Sequence, residues 1–121
     1  VAILLLLLQL VVALGIINVW LLRPGRATPF RGGAAKTMRE EFQAYGLPFW
    51  FMCVVGALKL GFAVALLLAT WLPALSQPAA LGLGVLMLGA LGMHLKIGDP
   101  PLKSLPAVLL LALCAAIVFL T

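Results

Sequence analysis

Residues Phe49–Leu72 read FWFMCVVGALKLGFAVALLLATWL, bounded by Pro48 and Pro73, with Trp50 and Trp71 near the two ends and Lys59 as the only charged side chain. A run this long and this apolar is a membrane-crossing helix, and indole rings near both ends are what interfacial anchoring places there. Three further runs frame it: Val1–Leu22, Ala79–Lys96 and Pro106–Leu120. At helical rise the first reaches roughly 33 Å and the last, the shortest, roughly 22 Å. The linker Pro73–Pro78 is short and uncharged, so the second and third spans form a tight antiparallel hairpin. The first run is too long for a signal-peptide core, and no small-residue cleavage motif follows it. The expected fold is all-α: an integral membrane four-helix bundle forming one domain over residues 1–121.

Composition supports the same reading. The chain is 65% hydrophobic and 9% charged, with a mean hydropathy of +1.26, whereas soluble domains carry about 45–50% apolar and about 25% charged residues. The net charge of +5 is not a nucleic-acid footprint, because the basic residues flank hydrophobic spans, where they act as topology signals and headgroup contacts. Cys53 and Cys114 both sit inside apolar runs and form no CxxC; each reads as a small buried hydrophobe.

The connection Arg23–Leu47 is polar. Thr28-Pro29-Phe30-Arg31-Gly32-Gly33 reads as an irregular turn, and Ala34–Tyr45 as a short amphipathic helix between the first and second spans. Met38, Phe42 and Tyr45 form its stripe, with Lys36, Arg39, Glu40 and Gln43 mostly away from it. Such a helix lies in the membrane interface or covers the end of the bundle. The other connection, Ile97–Leu105, has Asp99-Pro100-Pro101 as breaker and Ser104 as helix cap. Arg23, Arg26, Arg31, Lys36, Arg39, Lys96 and Lys103 all fall at one end of a four-span bundle. The positive-inside rule puts loops 23–48 and 97–105 on the cytoplasmic or equivalent side.

A few polar residues lie within the spans. Lys59 is roughly 15 Å from the basic end and shares a helix face with Gly56 and Ala63. A charge at that depth costs several kcal/mol unless it snorkels or finds partners. The partners on offer are Glu40 or Glu41 folding back from the loop, the amide of Asn18, or a bound lipid or quinone head group. Asn18 and His94 lie near the basic ends of their spans, so Lys59, Asn18 and His94 form a candidate cofactor-binding cluster. A lone His at that depth is either structural or a ligand; no metal-ligand spacing accompanies it. Gly82 and Gly89 lie two turns apart on one face of the third span and mark a close-packed contact. Gln9 and Asn18 project in opposite directions; if Asn18 faces inward, Gln9 faces lipid or another subunit.

Tyr45-Gly46-Leu47-Pro48, Gly56-Ala57-Leu58-Lys59-Leu60-Gly61, Met87-Leu88-Gly89-Ala90, His94-Leu95-Lys96, Asp99-Pro100 and Lys103-Ser104-Leu105-Pro106 follow one another in an order and spacing that resembles the DoxX-like family of small four-helix membrane proteins. The resemblance covers nearly the whole chain. The family is named for a subunit linked to archaeal terminal quinol oxidase and thiosulfate:quinone oxidoreductase. Many members carry Glu at the position of Lys59 and Lys near the position of Asn18, so that polar pair is not carried over intact.

No Ser/His/Asp set, metal-ligand spacing or phosphate-binding glycine loop is present, which points away from an enzyme acting alone. The expected role is a non-catalytic accessory or assembly subunit of a larger respiratory or photosynthetic membrane complex, contributing helix packing and lipid or cofactor contacts. The alternative is a DoxX-like subunit of a quinone-linked oxidoreductase with a polar site around Lys59. No intrinsic cofactor is expected; lipid, quinone or pigment at a subunit interface is the ligand chemistry implied. The partners are membrane lipids and other membrane subunits, not nucleic acid. The location is a bacterial inner membrane or an organelle membrane of bacterial origin, thylakoid or mitochondrial inner. The orientation is testable in a background free of native cysteine: Ala74→Cys should react with an impermeant maleimide applied from the non-cytoplasmic side, and Arg26→Cys only after the membrane is opened. The reverse pattern would overturn the assignment.

Overall fold

The computed structural model describes residues 2–121; Val1, the expected first residue of the first span, lies outside them. Helix α1 (Ala2–Ile17) continues into a π-helical turn, Asn18–Leu22, and α2 is the short helix Met38–Ala44. Then come α3 (Phe49–Leu68), α4 (Ser76–Lys96) entered through the 3-10 turn Pro73–Leu75, and α5 (Leu105–Leu120) entered through the 3-10 turn Pro101–Ser104. α1 packs on α3, α3 on α4, α4 on α5, and α5 back on α1, which closes a ring of four helices. With their turns, the four segments Ala2–Leu22, Phe49–Leu68, Pro73–Lys96 and Pro101–Leu120 are long and apolar enough to cross a membrane.

The ends differ in detail from the sequence reading. α4 starts at Ser76 rather than Ala79, because Pro78 falls in the first turn, where a missing N–H removes no intrahelical bond. Ser104 precedes α5, but its side chain makes no capping bond. Thr37 does cap α2: its hydroxyl accepts from Glu40 N at 3.2 Å while Glu40 Oε1 accepts from Lys36 N at 3.1 Å, a close relative of the capping box. The stripe Met38, Phe42 and Tyr45 is buried, so α2 closes over the bundle end.

The helices are apolar all round, so side-chain size and polarity decide which face turns inward. Small residues such as Ala13, Ala63 and Ala80 are buried beside Val12, Leu66, Leu83 and Ile117, while Leu7, Val11, Leu58, Val85 and Phe119 point outward. Gln9 corrects the helical-wheel expectation. It is only 3% exposed, and its Nε2 donates to Ser76 Oγ at 2.5 Å. An amide in hydrocarbon needs a partner inside the protein, and the first turn of α4 supplies one. At Gly82 the close approach is made within the chain, where a Cβ would run into the Phe62 ring, whereas one on Gly89 would meet nothing within 4 Å.

The basic-end loops are tied to each other through Asp99. Its Oδ1 accepts from Gly33 N at 3.0 Å and its Oδ2 lies 2.7 Å from His94 Nδ1. Lys103 donates to the Gly33 carbonyl and stands 4.0 Å from Asp99 Oδ1. Loops 23–48 and 97–104 therefore share one end of the bundle. Burial acts to raise the Asp99 carboxyl, but the bonds from His94 and Gly33 and the charge of Lys103 outweigh it and hold the group below the ordinary value of 3.8.

Two outcomes follow from these contacts. A carboxyl that is more acidic in the closed form favours that form above its open-loop value and loses the contribution as pH falls through the closed-form value. Protease resistance of the Arg31–Lys36 segment should thus persist at neutral pH and fail only in strong acid, while Asp99→Asn should lose it at neutral pH. In the packed ring, Gly82→Ala should destabilise by about 1–3 kcal/mol through overpacking and be partly relieved by Phe62→Leu. Gly61→Ala, where a Cβ meets nothing within 4 Å, should not destabilise in the same unfolding assay.

Candidate functional site

The basic-end half of the ring does not fill its centre. A cavity of about 480 Å³ opens there, walled by α1 and its π-helical turn, α3, α4 and the start of α5, and roofed by Thr28–Arg31 and α2. Its walls are mainly apolar, and Lys59, His94, Glu41, Tyr45, Arg31 and Lys103 contribute polar atoms. Gly89, expected to mark a close contact, instead fronts this space.

Lys59 enters the cavity from α3 and is 9% exposed. Its Nζ has no hydrogen-bond or ion-pair partner among the described residues; it stands 5.0 Å from the centre of the Trp20 ring, in cation–π range. The indole reaches that place for two local reasons. Trp20 lies in the π-helical turn, which breaks the register of α1 and redirects its side chains. Gly56, one turn before Lys59, leaves room for the ring, since a Cβ there would fall 2.8 Å from Trp20 Cε3. π-Helical turns recur at functional sites because they redirect side chains in this way.

From Trp20 a string of aromatic and ionisable groups leads away along the cavity wall. Trp20, Phe42, Tyr45 and His94 follow one another edge to face, with centroids 5.9, 5.9 and 5.8 Å apart. The Tyr45 hydroxyl lies 3.1 Å from Glu41 Oε1 and 3.5 Å from His94 Nε2. Its ring fills the space a side chain on Gly32 would need. Burial, and then the neighbouring Glu41 carboxylate, push the phenol far above its ordinary value of 10.0, so Tyr45 stays a neutral hydroxyl. Glu41 Oε2 accepts from Gly32 N at 3.1 Å and lies 3.7 Å from Arg31 Nη1.

Arg31 is 5% exposed and holds the roof in place. It donates to the carbonyls of Arg26 and Arg23 at 2.9 Å each. The Arg23 carbonyl belongs to the end of the first span, where helix-terminal acceptors need outside donors. With Arg31 committed to Glu41 and the backbone, and Lys103 to Gly33 and Asp99, Lys59 is the buried cation left without a counter-ion among the described residues.

The structure brings Lys59 and His94 to one cavity and leaves Asn18 out of its wall: Asn18 is half-buried at the start of the π-helical turn. Residue-by-residue reading of the spans did not find Trp20, Arg31, Tyr45 or Asp99 as site residues. The visible signals were the Thr37–Glu40 capping pair, which fixes the face of α2, and the Gly56–Lys59 spacing. No group of three His, Cys, Asp or Glu side chains able to hold a metal gathers among the described residues. The polar group left open toward this space is the Lys59 ammonium, between aromatic walls; both ring nitrogens of His94 are already met, by Tyr45 and Asp99.

Neither the curated proteins nor the solved structures include a match to this chain. A family model does match, over residues 30–117, the stretch that supplies Arg31, Glu41, Tyr45, Lys59, His94 and Asp99, and its description is the DoxX-like family. On that match, the chain is an integral membrane protein of the DoxX-like family.

Proposed function

We propose that this chain is a non-catalytic membrane subunit that holds the head group of a quinone in the Lys59 cavity for a partner oxidoreductase. The observation that carries the reading is a buried ammonium with no counter-ion among the described residues, facing a cavity of about 480 Å³. That volume lies within the roughly 300–1,000 Å³ of small-molecule sites. Lys59 would donate to a quinone oxygen, Trp20 would flank the ring, and the isoprenoid tail would leave along the apolar helix faces. The quinone supplies the redox chemistry; the chain supplies binding and orientation. The outward Gln9 that favoured a purely packing or assembly role is bonded inside the bundle, so that role loses its particular support.

Saturable quenching of tryptophan fluorescence by a short-chain quinone tests the reading. Lys59→Met should weaken binding about tenfold to a hundredfold, the loss of one charge-assisted hydrogen bond of about 1.5–3 kcal/mol. Its melting temperature should stay unchanged or rise, because a desolvated cation has been removed. Equal affinity in the Met variant would overturn the site. Purification in mild detergent should recover the chain with larger partner subunits; a chain that runs alone would overturn the accessory role.

A further inference from the structure

Binding at Lys59 leaves a second arrangement in the cavity wall unused. Glu41 Oε1, the Tyr45 hydroxyl and His94 Nε2 are joined at 3.1 and 3.5 Å, and His94 Nδ1 meets Asp99 Oδ2 at 2.7 Å. Four residues from α2, its C-terminal cap, α4 and the α4–α5 turn thus form one string. Glu41, Tyr45 and His94 line the cavity, whereas Asp99 faces the loops beside Lys103. The types are suited to passing a proton: a carboxylate and an imidazole each gain and lose one, and a hydroxyl between them accepts one hydrogen while donating another.

The geometry points to a proton relay that runs from the His94–Asp99 pair at the loop end, through the Tyr45 hydroxyl, to Glu41 in the cavity wall, where it serves the head group held beside Lys59. It rests on the ligand reading above. In the loaded setting His94 is imidazolium, with Nδ1–H donated to Asp99 and Nε2–H to the Tyr45 oxygen, and the Tyr45 O–H is donated to the Glu41 carboxylate. The shift breaks the Nε2–H bond as a new O–H bond forms on Tyr45. The original Tyr45 O–H bond breaks as an O–H bond forms on Glu41. His94 and Glu41 end neutral, Tyr45 ends unchanged, and one proton has moved toward the cavity.

No tyrosinate arises, which matters because burial and Glu41 disfavour one strongly. Rotation of the Tyr45 hydroxyl restores the first setting once Glu41 has released its proton and His94 has gained another. The charges facing the string are Arg31 at 3.7 Å from Glu41, Lys59 across the cavity, Lys103 at 4.0 Å from Asp99, and Lys96, whose Nζ donates to the Tyr45 carbonyl at 3.1 Å. A Glu41 carboxylate is thereby met by Arg31 and Lys59, and a His94 imidazolium by Asp99.

The probe is 2-hydroxy-1,4-naphthoquinone, which is coloured when its hydroxyl is ionised, bound to the full chain in lipid nanodiscs. After a rapid pH jump, the absorbance reports how fast the bound dye exchanges its proton. Tyr45→Phe keeps the ring and removes the hydroxyl. His94→Gln keeps a hydrogen-bonding side chain but holds no transferable proton. Both should slow the bound-dye response by about a hundredfold, the usual worth of a positioned proton-transfer group, measured at saturating dye so that a change in affinity does not enter the rate. The variants break the string at different points, so one that fails to fold leaves the other to decide. Dye that binds and responds at the wild-type rate in a folded variant overturns the relay and leaves the ligand reading standing. Wild-type protein that does not bind the dye overturns both.

Discussion

In hydrocarbon a polar group has no water to fall back on, so every donor and acceptor within the bilayer must find its partner inside the protein. That constraint makes the four spans helices and then decides how they face one another. Gln9 shows it in its satisfied form. A single bond to Ser76 at 2.5 Å joins α1 to the start of α4 at the end of the bundle away from the loops, and fixes the rotation of α1 so that Val12, Ala13 and Ile16 pack inward. Helices this uniformly apolar have little amphipathic preference of their own, so one amide and a set of small residues choose the buried face.

At the other end the same constraint shapes the long loop. Just past the first span Arg31 takes the carbonyls of Arg23 and Arg26, and Met38 N bonds the Pro24 carbonyl at 2.8 Å. These bonds fold residues 24–38 back over the bundle, and Asp99 then anchors Gly33 from the neighbouring turn. The cavity is thus roofed by a loop whose polar atoms are mostly spoken for. The roof is an ordered wall because its buried charges, Arg31 and Asp99, are each hydrogen-bonded more than once.

How much of this was legible in the sequence depends on the scale of the signal. The spans were legible because bilayer crossing is a property of whole segments, and one or two wrong ends, such as Pro78 inside α4, do not change it. The inward face of α1 was not legible from a helical wheel, because it depended on where Ser76 of another helix would sit. A wheel that extends α1 through Asn18 also ignores the π-helical turn that begins there. Lys59 and His94 stood out as polar groups in apolar runs. Trp20, Tyr45 and Asp99 did not, since an indole at a span end and a tyrosine or aspartate in a loop are ordinary until folding brings the first two to the cavity and the third behind His94.

Lys59 is where the constraint is left open. A cation–π contact with Trp20 contributes about 0.5–2 kcal/mol, less than the several kcal/mol that a desolvated charge costs. Here the acid beside the cavity is Glu41, on the loop helix, and it is already held by Gly32, Tyr45 and Arg31. Those bonds hold Glu41 to the roof and leave Lys59 without a hydrogen bond or ion pair among the described residues. The protein therefore retains both a closed roof and an ammonium unmatched among the described residues, and on the proposed reading an acceptor from the membrane would relieve the second without disturbing the first.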